Sequence, residues 1–263
     1  MSSYQIFTDA TADLSSGMMA RLPSVEIIPM NVEIGGRIYT YGPQGDLSVQ
    51  AFYQMQKTGN YATTSQINPD TYRSYFEPCL QSGKDILYLC FTSGMSGTIQ
   101  SARLCLNELK EKYPDRTILC VDTLCASLGE GVLVQEAARR QAEGFSILKL
   151  QNWVVEHRQQ VCHWFTVDVF DHLKHGGRVS SAAAVVGTAL QIKPLLHWIR
   201  RASWPLRKSP VAVNRPFMRS LRVWSGAGIH KFQKQLRSVM ATARMGQGSW
   251  RNPFADSSPT LRL

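Results

Sequence analysis

Residues 90–102, CFTSGMSGTIQSA, place Thr92, Ser93, Gly94, Ser96, Gly97 and Thr98 between an apolar run and the start of a helical pattern. Glycine lets the backbone approach a ligand closely, and hydroxyls donate hydrogen bonds. A helix N-terminus adds free N–H groups and the positive end of a dipole. This combination suits an anion with oxygen acceptors, a carboxylate or a phosphate. A Ser/Gly helix cap with no ligand accounts for the same residues equally well. The segment lacks the Lys of a phosphate-binding P-loop. It also lacks the spacing of a nucleophile elbow, and no His or acid stands out as a triad partner.

Two further segments carry donors. In ATTSQINPD (62–70), Thr63, Thr64 and Ser65 precede a helix with Pro69 in its first turn, where capping is the simpler explanation. In FDHLKHGGRVSSAAAVVG (170–187), a short helix ends at Gly176-Gly177, and Ser180 or Ser181 starts an apolar helix. His172, Lys174, His175 and Arg178 are placed to face an anion there, or to form a solvated basic helix end.

Elements must position these loops. Tyr4 to Thr8 reads as a strand with Asp9 at its end and a helix starting near Asp13 or Ser15. VEIIPMNVEI (25–34) and RIYT (37–40) read as a strand pair around Gly35-Gly36. Helices are expected at 48–57 and 69–82, then a strand at 85–91 buried on both faces, a helix over 97–113, and a strand at 117–122. Helices over 126–142 and 145–159 and a strand at 161–167 follow. Alternation of this kind argues for an α/β fold, a mainly parallel sheet flanked by helices. In such sheets ligands bind beyond the carboxyl ends of the strands, which here are the loops after Thr8, Phe91 and Asp122.

The six cysteines form no C-x-x-C pair, and no His cluster lies at zinc spacing, so they read as reduced core residues of a cytoplasmic protein with no metal and no cofactor. The opening MSSYQIFTDA lacks the features of a signal peptide, and no apolar run is long enough to span a membrane. The net charge of +10 is uneven. Residues 1–197 hold 16 Lys+Arg and 18 Asp+Glu, whereas residues 198–263 hold 13 Lys+Arg and one acid, Asp256. A basic tail of this sort invites a nucleic-acid partner.

TDATAD (8–13), TTSQINP (63–69), SGMSGTIQSA (93–102), VDTLCASLGEG (121–131) and FDHLKHGGRVS (170–180) resemble, in order and spacing, the successive signatures of the DegV family. The resemblance covers residues 4–197. It implies a first α/β domain over 1–160 and the start of a second, incomplete α/β domain over 161–197. It also implies a long-chain fatty acid between the domains, with the acyl chain in an apolar tunnel. The carboxylate would meet hydroxyls at Ser65 and Ser96, with Thr64 and Ser93 beside them. Gly97, Thr98 and Arg178 complete the candidate fatty-acid-binding set. Some family members present the lipid to the catalytic subunit of a bacterial fatty acid kinase, so a non-catalytic carrier is expected. A carrier of another small anionic metabolite is the alternative, and a nucleic-acid binder using the basic tail is the alternative of another class.

The resemblance stops near Leu196-His197. From about 198 onward the sequence fits a shifted reading frame. Met240-Ala241 forces a Gly in that frame, within a permitted Ser-His-Gly-Asp-Cys, and Ser209 to Asn214 permits Arg-Gly-Arg-Lys. On this reading the tail is a frame product and its charge carries no information about partners.

Overall fold

Strands and helices alternate along most of the chain, as the spacing of its apolar runs requires. The computed structural model describes residues 4–166, 171–177 and 195–197. In chain order the elements are β1 (Tyr4–Asp9), a 3-10 turn (Ala10–Ala12), α1 (Ser16–Met19), β2 (Val25–Ile28), β3 (Met30–Ile34) and β4 (Arg37–Tyr41). Then come α2 (Val49–Lys57), β5 (Ala62–Thr64), α3 (Pro69–Gln81), β6 (Asp85–Cys90), α4 (Thr98–Lys112) and β7 (Ile118–Asp122). α5 (Ser127–Ala142), α6 (Ile147–His157), a second 3-10 turn (Arg158–Gln160), β8 (Trp164–Thr166), α7 (Asp171–His175) and β9 (Leu195–His197) complete the series. The expected apolar helix from Ser180 or Ser181 and the tail from 198 lie outside the described residues.

The main sheet is parallel, in the order β2-β1-β6-β7. β6 is its buried spine, and its side chains divide by the two-residue period of a strand. Ile86, Tyr88 and Cys90 enter the core shared with α3 and α4, alongside Phe76, Ile99 and Leu106. Leu87 and Leu89 enter the opposite core, with Leu133, Val134, Leu150 and Val154 of α5 and α6. Helices therefore cover both faces, which is why β6 reads as an unbroken apolar run.

The segment 25–34, expected as one strand, is two. Proline has no N–H to give a ladder, and Pro29 separates β2, in the parallel sheet, from β3, in an antiparallel sheet ordered β4-β3-β5. The β3–β4 turn is as expected. Gly35 and Gly36 have φ of 62° and 74°, the left-handed pair that a two-residue hairpin demands. β8 and β9 pair antiparallel, with Phe165 opposite Leu196.

Helix starts follow local chemistry. Ser48 Oγ accepts from Ala51 N at 3.1 Å ahead of α2, and Asn68 Oδ1 accepts from Thr71 N at 2.8 Å ahead of α3, with Pro69 at the first position. The start of α5 is different. Ala126 supplies no side-chain cap, and its N–H donates instead to His163 Nε2 at 3.3 Å. Burial pushes the pKa of His163 down, which keeps the ring neutral and able to accept. Two glycines let α5 come close. A methyl group on Gly129 would collide with the His163 ring, and one on Gly131 would lie 2.7 Å from Ala12 O.

Gly131→Ala is expected to destabilise the protein by about 1–3 kcal/mol through overpacking against a backbone carbonyl. Gly17→Ala in α1, where a methyl group meets nothing within 4 Å, is expected to change stability by no more than about 1 kcal/mol. Urea denaturation of the two variants makes the comparison.

Candidate functional site

β1 leads through α1 to β2 on one side of it, while β6 lies on its other side and continues to β7. The strand order thus reverses between β1 and β6, and the region beyond their carboxyl ends is the usual ligand position in a parallel sheet. The loop 91–97 begins there. It is held by backbone donors to acidic and hydroxyl side chains. Phe91 N donates to Asp9 Oδ2 at 3.2 Å, Ser93 N to Asp122 Oδ1 at 3.2 Å, and Gly94 N to Thr92 Oγ1 at 3.2 Å. Asp122 also receives Leu124 N at 3.0 Å, so one carboxylate orders two loops.

The sequence-derived residues fall into three groups. Ser96 is half-buried, and its Oγ lies 2.8 Å from Thr98 Oγ1 while accepting from Thr98 N at 3.2 Å. Thr98 is buried, so its hydroxyl serves the start of α4 with Ser96, and of the two the Ser96 hydroxyl is the one nearer solvent. Ser93 is exposed beside it. Thr64 and Ser65 are exposed on β5 and just after it. They therefore follow the antiparallel sheet, whereas Ser93 and Ser96 follow the parallel one. Thr63 is turned toward Glu33, its Oγ1 lying 3.4 Å from Oε2.

Two contacts bring the hydroxyl loops together. The Gln66 amide lies against Gly97 so closely that a methyl group there would collide with it. Ser101 Oγ, on α4, donates to Ile67 O at 2.7 Å. Ser65 and Ser96 are the immediate neighbours of Gln66 and Gly97. The third segment joins on the same side: Tyr61, just before β5, stacks on His175 at 4.4 Å between ring centroids and 17° between planes, and meets His172 at 5.2 Å. Lys174 is exposed. Arg178 lies outside the described residues.

What the sequence reading missed sits directly behind the loop. Asp9 and Glu130 are fully buried. Asp9 accepts Tyr88 OH at 2.8 Å, Phe91 N and Thr11 N, and also Thr11 Oγ1. Glu130 meets Thr8 Oγ1 at 3.1 Å and Thr11 Oγ1 at 3.0 Å. Burial pushes both carboxyls above the ordinary range. Bonds from Thr11, Tyr88 and Phe91 oppose this at Asp9, while the Asp9 charge adds to it at Glu130, which is raised well above. The available signal was Gly129-Glu130-Gly131, two glycines inside a helix around an acid.

Chemically the arrangement offers hydroxyls, backbone N–H groups and a helix N-terminus, the groups that hold an oxyanion. No nucleophile–base pair is formed by Ser93 or Ser96, and no metal-ligand cluster occurs, among the described residues. No described helix is long and apolar enough to cross a membrane.

Comparison with known proteins agrees with the fold. A model of the DegV family, described as uncharacterised proteins, matches residues 3–209. A DegV domain-containing protein of Clostridium perfringens is 42% identical over 197 residues, 75% of this chain and 67% of that relative. One from Lactococcus lactis is 35% identical over 193 residues, 73% of this chain and 66% of that relative. The chain thus spans about two thirds of the length of these relatives. Among solved structures, a fatty-acid-binding DegV family protein of Thermus thermophilus superposes with a TM-score of 0.69 at 28% identity, over 84% of this chain and 77% of that one. A stearic acid-binding protein of Eubacterium ventriosum shares the fold, with a TM-score of 0.70 at 21% identity over 91% of this chain and 76% of that one.

Ser101→Ala removes the bond that ties the two hydroxyl loops together. It is expected to cost about 1 kcal/mol of stability, measured by urea denaturation, with faster amide exchange at Gln66 and Ile67.

Proposed function

The chain belongs to the DegV family, and from that premise we infer that it binds a long-chain fatty acid without catalysis and presents it to the catalytic subunit of a fatty acid kinase. The observation that carries this reading is the junction of the Ser65 and Ser96 loops, where the Gln66 amide lies against Gly97 in the loop after β6. Ser65, Ser96, Thr64 and Ser93 would supply donors to the carboxylate, with the N-terminus of α4 adding its dipole. Gly97 would let the backbone approach. Thr98 would orient Ser96, and Arg178 would add a cation. A chain of about 16 carbons contributes roughly 0.8 kcal/mol per buried methylene, so tight binding needs no reactive group. The hydroxyls then fix which end of the lipid faces out. The fatty-acid-binding relative from Thermus thermophilus supports the ligand class. The same donors would accept another small anionic metabolite, and the test below separates the two.

Native mass spectrometry of the purified protein is expected to show a co-purified acid of about 14–18 carbons, the length range whose methylenes supply such affinity. An empty protein, or one carrying a water-soluble anion, would overturn the assignment. Ser96→Ala is expected to weaken binding of an added fatty acid by about 1–3 kcal/mol, the cost of leaving a carboxylate oxygen without its donor.

A further inference from the structure

Two hydroxyls make four contacts here, three to the buried carboxyls and one to a backbone carbonyl. Thr8 Oγ1 lies 3.0 Å from Leu89 O and 3.1 Å from Glu130 Oε1. Thr11 Oγ1 lies 3.0 Å from Glu130 Oε2 and also contacts Asp9 Oδ1. A hydroxyl has one hydrogen. Were both carboxyls ionised, two hydrogens would serve four contacts, and two contacts would set lone pair against lone pair. Among the described residues, the groups around the pair supply no cation. Among the described residues, Tyr72 on α3, Tyr88 and Cys90 on β6, Cys120 on β7, Cys125 before α5, and Asp13 after the first 3-10 turn are the titratable neighbours. No Lys, Arg or His bonds to either carboxyl among the described residues.

We propose that Asp9 and Glu130 hold one proton between them, that Glu130 carries it, and that the pair so formed positions the loop beginning at Phe91. The assignment to Glu130 follows from donor count. Asp9 faces four donors, two of them backbone N–H groups that cannot reverse, and Tyr88 OH is itself free to donate because Tyr72 OH lies 3.0 Å behind it. An ionised carboxylate satisfies all four. Glu130 faces only hydroxyls, and as an acid it donates to one of them. The pair then carries one negative charge, spread over four hydrogen bonds, and Phe91 N is fixed by it.

Glu130→Gln and Asp9→Asn separate the roles. Glutamine copies the neutral acid, donating at one atom and accepting at the other. Asparagine at position 9 sets an NH₂ against a backbone N–H whichever way it is turned. The sign of the pH effect is also fixed. Below the ordinary glutamic acid value of 4.5 folded and unfolded chains both hold the proton. Above it the unfolded chain releases the proton while the folded chain keeps it, so this pair's contribution to stability declines as pH rises toward the folded pKa.

The experiment measures thermal unfolding from about pH 5 to about pH 9, the infrared band of a protonated carboxyl at neutral pH, and amide exchange over residues 91–97. The wild type is expected to show the band. Glu130→Gln is expected to lose it, keep slow exchange in the loop, and have a midpoint that falls less with pH. Asp9→Asn is expected to lower the midpoint at every pH and to speed exchange in the loop. Absence of the band in the wild type, or damage from Glu130→Gln equal to that from Asp9→Asn, overturns the proton assignment. Slow loop exchange in Asp9→Asn overturns the positioning role. The consequence for ligand binding rests on the fatty-acid reading: with stearate as probe, Asp9→Asn binds more weakly than wild type. A wild type that binds no stearate sinks that reading and leaves the proton assignment to the band.

Discussion

Two carboxyl groups lie out of water where the strand order of the parallel sheet reverses, and they tie together three elements, β1, the end of β6 and α5, in one polar network beside the β1–β6 ladder. Asp9 ends β1, Tyr88 and Phe91 bring in β6 and the loop after it, and Glu130 brings in α5. Taking an isolated ionised carboxyl out of water costs several kcal/mol. Such a group persists only where donors replace the lost water, and the donors here come from every side. Small displacements of β1, β6 or α5 would strand one of them. The network therefore fixes relative positions more sharply than the leucines and valines on either face, which tolerate sliding.

That precision is delivered to one place. Asp9 holds Phe91 N and Asp122 holds Ser93 N, so the loop between β6 and α4 is pinned at its first and third residues by acids at the ends of neighbouring strands. The loop can then present Ser93 and Ser96 without being a strand or a helix itself. The close approach of α5 is part of the same arrangement, since Gly129 and Gly131 admit His163 and Ala12 O to its surface and set Glu130 between them.

Most of the elements were legible because each carries one dominant local signal. DILYLC is apolar on both pleats, Ser48 and Asn68 are caps, and Gly35-Gly36 is a hairpin turn. Pro29 was also visible, but a strand broken by proline and a strand that leaves one sheet for another look alike in sequence. The candidate hydroxyls were found because Ser, Thr and Gly cluster within a few positions. Glu130 was not, because a lone acid in a helix looks like a solvated face, and its partners Thr8, Thr11 and Asp9 lie more than a hundred residues away. Its two flanking glycines were the trace it left, each costing about 1 kcal/mol of helix propensity relative to alanine. That cost makes sense only where something must come close.

The buried pair and the hydroxyl loop meet in one electrostatic requirement. On the proposed reading, an anion at Ser93 and Ser96 would be drawn by donors and by the α4 dipole, but it would also feel whatever charge lies behind Phe91. Two ionised carboxyls there would oppose it through an interior that screens poorly. One carboxylate, with four donors turned toward it and a neutral acid beside it, opposes it far less, because the hydrogen bonds draw its charge toward Tyr88 and the backbone. Holding a proton on Glu130 thus does two things with one group: it supplies a third hydrogen to the four hydroxyl contacts around the pair, and it removes a negative charge from behind the surface where the proposed carboxylate would bind.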